Sequence, residues 1–196
     1  DDIRAAAQAV SRIMAQPIAP CALEFMDQAA VRAVRESVDL DIPKQTAAVL
    51  LIEVDGSNAA IDSDTAKVAA AAEGPGCLRL RQASTAAEVK QLWSVRTALS
   101  PALRHLAPKK INEDVVVPVS RIPDLVSGLE TLSKRHGIPI VNFGHAGNGN
   151  LHVNLLFDPD DATQADAAHP CLDEIFDLVL SLDGSLSGEH GVGWVK

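Results

Sequence analysis

The stretch Ile140-Val141-Asn142-Phe143-Gly144-His145-Ala146-Gly147-Asn148-Gly149-Asn150-Leu151-His152-Val153-Asn154-Leu155-Leu156-Phe157 decides how this chain is read. It runs as apolar strand, glycine-rich turn, apolar strand, and Asn148-Gly149 is a two-residue hairpin signal for a type I′ turn. With those residues as the turn, Gly147 faces Asn150, Ala146 faces Leu151 and His145 faces His152. Opposed residues of an antiparallel pair point to one face, with Cβ atoms about 4.5–5.5 Å apart. Alternation then puts Asn154 on the face of His152. Two imidazoles so placed can meet on one metal ion, with the Asn154 amide beside them as a substrate contact. A half-buried histidine pair that only caps the hairpin has the same pattern, since two histidines alone are weak evidence for a metal.

A second stretch, Gly184-Ser185-Leu186-Ser187-Gly188-Glu189-His190-Gly191-Val192-Gly193, adds to the first. Its glycines permit a tight loop and close approach of backbone to a ligand. Glu189 makes a third ligand, and a His/His/Glu set with open positions suits zinc, iron or manganese. His190 is left for proton transfer near neutral pH, or is an ordinary loop histidine.

Outward from these motifs, helices are expected over residues 1–16, 22–38, 58–72, 123–136 and 170–182, from the 3.6-residue spacing of their apolar positions. Residues 39–44 and the acidic run 158–161 read as loops. The continuous apolar run 46–54 predicts a central strand, and residues 77–81 and 115–119 predict two shorter ones. Thr85-x-x-Glu88 is a capping box that opens another helix, with Val89, Leu92, Leu99 and Leu103 on one stripe. Arg96 falls on that stripe, where an unpaired charge is costly to bury. It either pairs with a core-edge carboxylate or aims its guanidinium at a substrate carboxylate. The alternation of strands and helices predicts an α+β fold, with helices packed on one face of a mainly antiparallel sheet.

The 196 residues hold one large domain or a crowded pair, and 47% hydrophobic with 22% charged is an ordinary globular composition. A net charge of -9 argues against a nucleic-acid surface. No run approaches the roughly 18–20 apolar residues of a membrane span. Cys21, Cys77 and Cys171 are widely spaced, which fits a reducing, cytoplasmic setting without a disulfide framework. The chain opens at Asp1 without methionine and stops shortly after the Glu-His motif, so both ends are expected to be cut from something longer.

Gly-His-Ala-Gly-Asn-Gly-Asn-Leu-His-Val-Asn followed by Ser-Gly-Glu-His-Gly-Val-Gly resembles the C-terminal domain of FAD-linked oxidases, the group of D-lactate dehydrogenase, glycolate oxidase and D-2-hydroxyglutarate dehydrogenase. The resemblance covers nearly the whole chain, with one departure: the family more often has Asp where Asn148 stands. It implies a ferredoxin-like fold for residues 1–196, acting as the substrate-binding cap of a protein whose FAD sits in a separate N-terminal domain. Arg96 stands in the family's Leu-Trp-x-x-Arg context, and the family's substrate lysine lies near Lys109 and Lys110, of which Lys110 is preferred. A similar Pro-x-x-x-Glu-x-x-Asp run falls on Pro20, Glu24 and Asp27, here read as a solvated helix face.

The implied reaction is oxidation of a 2-hydroxy acid to the 2-oxo acid. Arg96 and Lys110 hold the carboxylate, His190 takes the hydroxyl proton, and a divalent ion on His145, His152 and Glu189 polarises the hydroxyl. No Gly-x-Gly-x-x-Gly unit appears, so the hydride acceptor has to come from the flavin domain, and the chain alone is expected to be inactive. A homodimer is a further partner this reading allows. Two other classes stay open: a metal-dependent hydrolase using the same three ligands, and a metal-free interaction module.

Overall fold

A computed structural model describes residues 2–35, 38 and 41–194. The ends of three expected segments (Asp1, residues 36 and 37, residues 39 and 40) lie outside them. Helix α1 (Ile3–Met14) starts where the Asp2 side chain accepts the Arg4 N–H. It buries Ala7, Val10 and Ile13. Then come β1 (Ala22–Asp27), α2 (Gln28–Val34), β2 (Ala48–Glu53), α3 (Ile61–Ala72), α4 (Ala86–Leu103), β3 (Lys109–Val116), α5 (Ile122–His136), β4 (Ile140–His145), β5 (Asn150–Phe157) and α6 (Ala162–Ser181).

The strands form one sheet in the order β2-β1-β4-β5-β3, with every neighbouring pair antiparallel. The α+β class and antiparallel sheet are as the sequence predicts, but helices cover both faces rather than one. On one face Leu23, Phe25, Leu151, Val153 and Leu155 pack with residues of α1, α3, α5 and α6. On the other, Met26, Val141, Phe143 and Leu156 pack with Val31 and Val34 of α2 and Val95, Leu99 and Leu103 of α4. This second layer is what brings Arg96 to the sheet.

Several elements differ from the sequence reading, each for a physical reason. The expected helix over 22–38 is β1 followed by the short α2. Both faces of β1 are covered, so apolar residues fall on each, and the mixture imitates a helical stripe. The Asp27 carboxylate accepts the Ala30 N–H and starts α2 at that point. Strand β2 lies at the edge of the sheet, not its centre. Its apolar run reflects two covered faces, with Ala48, Leu50 and Ile52 toward one cluster and Val49 and Leu51 toward the other.

Residues 77–81 form no strand. Strand β3 begins at Lys109, six residues before the expected start at Val115. Helix α6 begins at Ala162, where Asp161 accepts the Thr163 N–H at 2.9 Å, and it carries Pro170 inside it. The expected α5 and its stop at Gly137 (φ 66) are observed, as is the capping box of α4.

The central hairpin also differs in detail. Its register pairs Phe143 with His152 and Ile140 with Leu155. Asn148-Gly149 is not a two-residue turn: a single 3-10 turn over Ala146–Asn148 and a left-handed Gly149 (φ 75) join the strands. Gly144 (φ 155) sets the crossing, since a Cβ there would lie 2.8 Å from the Asn150 carbonyl. A two-residue offset preserves the face of every side chain. His145 and His152 therefore share a face, although they are not opposed.

Candidate functional site

The site lies on the face that carries α2 and α4, at the ends of β4 and β5. Where β4 leaves β5, His145 pairs instead with Glu24 of β1. The Glu24 carboxylate is almost wholly buried, contacts His145 Nδ1 through Oε1, and accepts the Arg96 Nε–H through Oε2 at 2.6 Å. The Arg96 guanidinium carbon also stands 5.0 Å from the centre of the Phe143 ring. Arg96 thus meets a core-edge carboxylate, one of the two roles its sequence position allowed. Glu24 is no solvated helix residue: it and Asp27 are both buried on β1. Burial lifts the Asp27 carboxyl to about 6, against the hydrogen bonds it accepts from Ala30 and Asn142.

With Nδ1 turned to Glu24, His145 directs Nε2 outward, 3.7 Å from Glu189 Oε1. His152 Nε2 lies 3.6 Å from the same oxygen. One donor atom from each of His145, His152 and Glu189 lies within 4.8 Å of the others. Ligands about 2.1 Å from a tetrahedral ion stand about 3.4 Å apart, so the three fit one divalent ion with little movement. A carboxylate fixing the second nitrogen of a ligating histidine is a recurrent support of such sites, and Glu24 stands in that place. Burial, and then the neighbouring His145, Arg96 and His190, push the His152 pKa down, which keeps a neutral lone pair available.

His190 stacks on His152, with ring centres 5.3 Å apart and planes 18° from parallel. Its Nδ1 lies 3.6 Å from Asp114 Oδ1. His145 meets His152 edge-on at 5.5 Å. His145, His152, Glu189, His190 and Arg96 are therefore gathered in one place.

The other expected contacts lie differently. Asn154 is wholly buried beneath the site and donates to the Val141 and His152 carbonyls. Its Oδ1 has no hydrogen-bond partner among the described residues. Lys110 is exposed on the edge strand β3, opposite Leu156. It shares the face of Asp114, four residues away, or about 13 Å along the strand. Partial desolvation of its amine against the strand, and then Arg104, lower its pKa. Sequence reasoning missed two residues, Glu24 and Asp114. Their signal was an acid at an inward position of an alternating strand, invisible while β1 was read as helix and β3 was expected to start only at Val115.

The profile of the family described as FAD linked oxidases, C-terminal domain, matches residues 1–196. The glycolate oxidase subunit GlcD of Bacillus subtilis is 35% identical over 100% of this chain and 42% of its own length. The GlcD subunit of Escherichia coli K12 is 31% identical over 100% of the chain and 39% of its own. A probable mitochondrial D-lactate dehydrogenase of Danio rerio is 25% identical over 99% and 39%. The chain spans about two fifths of the length of these curated relatives.

Proposed function

Because the chain belongs to the C-terminal domain family of FAD linked oxidases, we propose that it is the substrate- and metal-binding part of a flavin-dependent dehydrogenase that oxidises a D-2-hydroxy acid to the 2-oxo acid. The observation that carries this reading is the convergence of His145, His152 and Glu189, with His190 stacked beside them. The names of the relatives supply the substrate class: glycolate and D-lactate are both 2-hydroxy acids.

His145, His152 and Glu189 would hold a divalent ion such as zinc, iron or manganese, which supplies a Lewis acid for the substrate hydroxyl. FAD, held by the part of the protein outside this chain, supplies the hydride acceptor. The chain's own residues do the rest. The Arg96 guanidinium donates its Nε–H to Glu24, and its other N–H groups would hold the substrate carboxylate. Lys110 is a more distant cation for an extended substrate. His190 takes the hydroxyl proton through Nε2, since its Nδ1 faces Asp114. Asn154 props the strand beneath. No described helix is long and apolar enough to cross a membrane. Cys21, Cys77 and Cys171 are unpaired, in keeping with a reducing, cytoplasmic setting.

The test is a screen of 2-hydroxy acids with a dye acceptor on the full-length protein, alongside metal analysis. Turnover of a D-2-hydroxy acid is expected, with His190→Ala losing about 10²–10⁴-fold in kcat, the usual contribution of a positioned base. Residues 1–196 alone, given free FAD, are expected to stay silent. Dye reduction by that fragment, or an unaltered His190→Ala enzyme, counts against the proposal.

A further inference from the structure

The loop that carries Glu189 and His190, residues 184–193, has no helix or strand and contains four glycines, yet its first half is tightly held. Ser185 exchanges two backbone hydrogen bonds with Val116 at the end of β3, at 2.8 and 2.9 Å. Three residues on, a Cβ at Gly188 would lie 2.4 Å from Asn150 Nδ2 and 2.9 Å from Val116 Cγ2, so the backbone is seated directly on both side chains. Past His190 the restraint thins to one bond, from the Gly191 N–H to the Ser187 hydroxyl oxygen at 2.7 Å. Gly191 and Gly193 are left-handed (φ 77 and 51), and a Cβ at either would meet nothing within 4 Å.

Between the tight half and the open half lies one side chain. Asp114, on β3 directly opposite His152, has a fully buried carboxylate. Its Oδ2 accepts the backbone N–H groups of Gly188 (2.7 Å), Glu189 and His190 (3.0 Å). Its Oδ1 meets the Ser187 hydroxyl at 3.5 Å and faces His190 Nδ1 at 3.6 Å. Three successive N–H groups closing on one oxygen form a cradle that suits a full negative charge. Hydrogen bonds to an ionised acceptor are about twice as strong as neutral ones.

We infer that Asp114 is a positioning residue for the metal centre and the base: by gripping the backbone of residues 188–190 it sets Glu189 against the two histidines and His190 against His152. The inference rests on the metal-centre reading given above. The Glu189 side chain is half-exposed and reaches only the two histidines, at 3.6 and 3.7 Å, among the described residues, whereas its main chain is held by its N–H on Asp114. Without the grip, ion binding would have to order a glycine-rich loop against its backbone entropy. With it, the third ligand is already in place before the ion arrives.

The test is the affinity of the full-length protein for Zn²⁺ and for Mn²⁺, read by chelator competition, together with kcat and KM for the hydroxy acid. Asp114→Ala should weaken ion binding about 10–100-fold, the usual penalty for losing an outer-shell partner, and lower kcat more than it raises KM. Asp114→Asn keeps an acceptor oxygen for the three N–H groups and should lose less. Gly188→Ala leaves Asp114 intact but lifts the loop off Asn150 and Val116, and should weaken ion binding in the same direction. His152→Ala is the control. If it loses the ion while folded Asp114→Ala or Gly188→Ala protein binds as tightly as wild type, Asp114 is merely structural and the inference is overturned. If His152→Ala also keeps the ion, the metal-centre reading fails, and this inference falls with it.

Discussion

The two faces of the sheet are made by the same strands, one residue out of step. Leu151, Val153 and Leu155 of β5 turn to α1, α5 and α6 and form a continuous apolar core. Asn150, His152 and Asn154, the residues between them, turn the other way. Each of these three leaves one buried polar atom without a hydrogen-bond partner among the described residues. Buried polar groups are almost always satisfied, because an orphaned one costs about 1–3 kcal/mol. One side of a single strand is thus close to ideal for folding, and the other side is poor for folding and suited to binding. Stability and chemistry are separated by face, not by domain, and the two should respond to mutation separately.

The largest expected effect lies on the apolar face. Phe25 is completely buried there, at the centre of β1. Phe25→Ala should cost about 3–5 kcal/mol of unfolding free energy, while the protein that remains folded binds Zn²⁺ with wild-type affinity. Chemical denaturation and ion titration on the same sample check both halves. An affinity that falls with the stability would mean that the faces are coupled.

The apolar face is interrupted at Asp27, and this gives the next effect. Its carboxyl is raised from 3.8 to about 6 by burial. An acid whose folded pKa exceeds its unfolded one stabilises the fold fully below the unfolded value, and that contribution is lost as pH rises through the folded value. Between about pH 4 and pH 6 wild-type stability should therefore fall relative to Asp27→Asn, which does not titrate. About two pKa units at 1.36 kcal/mol each give a change on the order of 3 kcal/mol. Parallel denaturation midpoints across that range would show the divergence, and curves that stay parallel would mean that Asp27 titrates normally.

On the polar face Glu24 is the counterpart. Glu24→Gln leaves the shape but removes the charge that faces both His145 and Arg96. Ion affinity should drop about 10–100-fold, or about 1.4–2.7 kcal/mol, with a smaller change in unfolding free energy. An unchanged affinity would show that His145 is oriented by something else.

The sequence was most legible where a pattern had a single cause. Gly137 ends α5, Thr85 starts α4, and His145 and His152 share a face despite an offset register, because a two-residue slip leaves faces unchanged. It was least legible where two layers meet one strand. β1 and β2 are covered on both sides, so their apolar residues do not alternate with polar ones. That hid β1 inside a supposed helix, and Glu24 with it. Arg96 was visible as a misplaced charge, but its partner was not, since the pairing spans 72 residues and three intervening elements. Asp114 showed at most as an acid at an inward strand position, and its role did not show: its partners are backbone N–H groups, which carry no residue signature.

The smallest effect concerns how Arg96 is delivered. Helix α4 begins at Thr85, whose hydroxyl accepts the Glu88 N–H at 3.3 Å, while the Glu88 carboxylate accepts the Ser84 and Thr85 N–H groups at 2.9 Å. Those bonds, led by the one from Ser84, hold the Glu88 carboxyl below its ordinary pKa. Arg96 lies eleven residues downstream, three helical turns from the cap, on the part of α4 where Val95, Leu99 and Leu103 are packed into the second core. Helix ends fray turn by turn, whereas a packed middle moves only with the core. Thr85→Ala should therefore cost about 1 kcal/mol of stability, the usual value of a lost cap. It should leave KM for the hydroxy acid unaltered, because the turn that carries Arg96 is fixed by packing and by Glu24, not by the cap. A raised KM in a Thr85→Ala enzyme of nearly wild-type stability would show instead that the whole helix shifts as a rod. In that case the polar face would be held in place from its far end, and the independence of the two faces would not extend to α4.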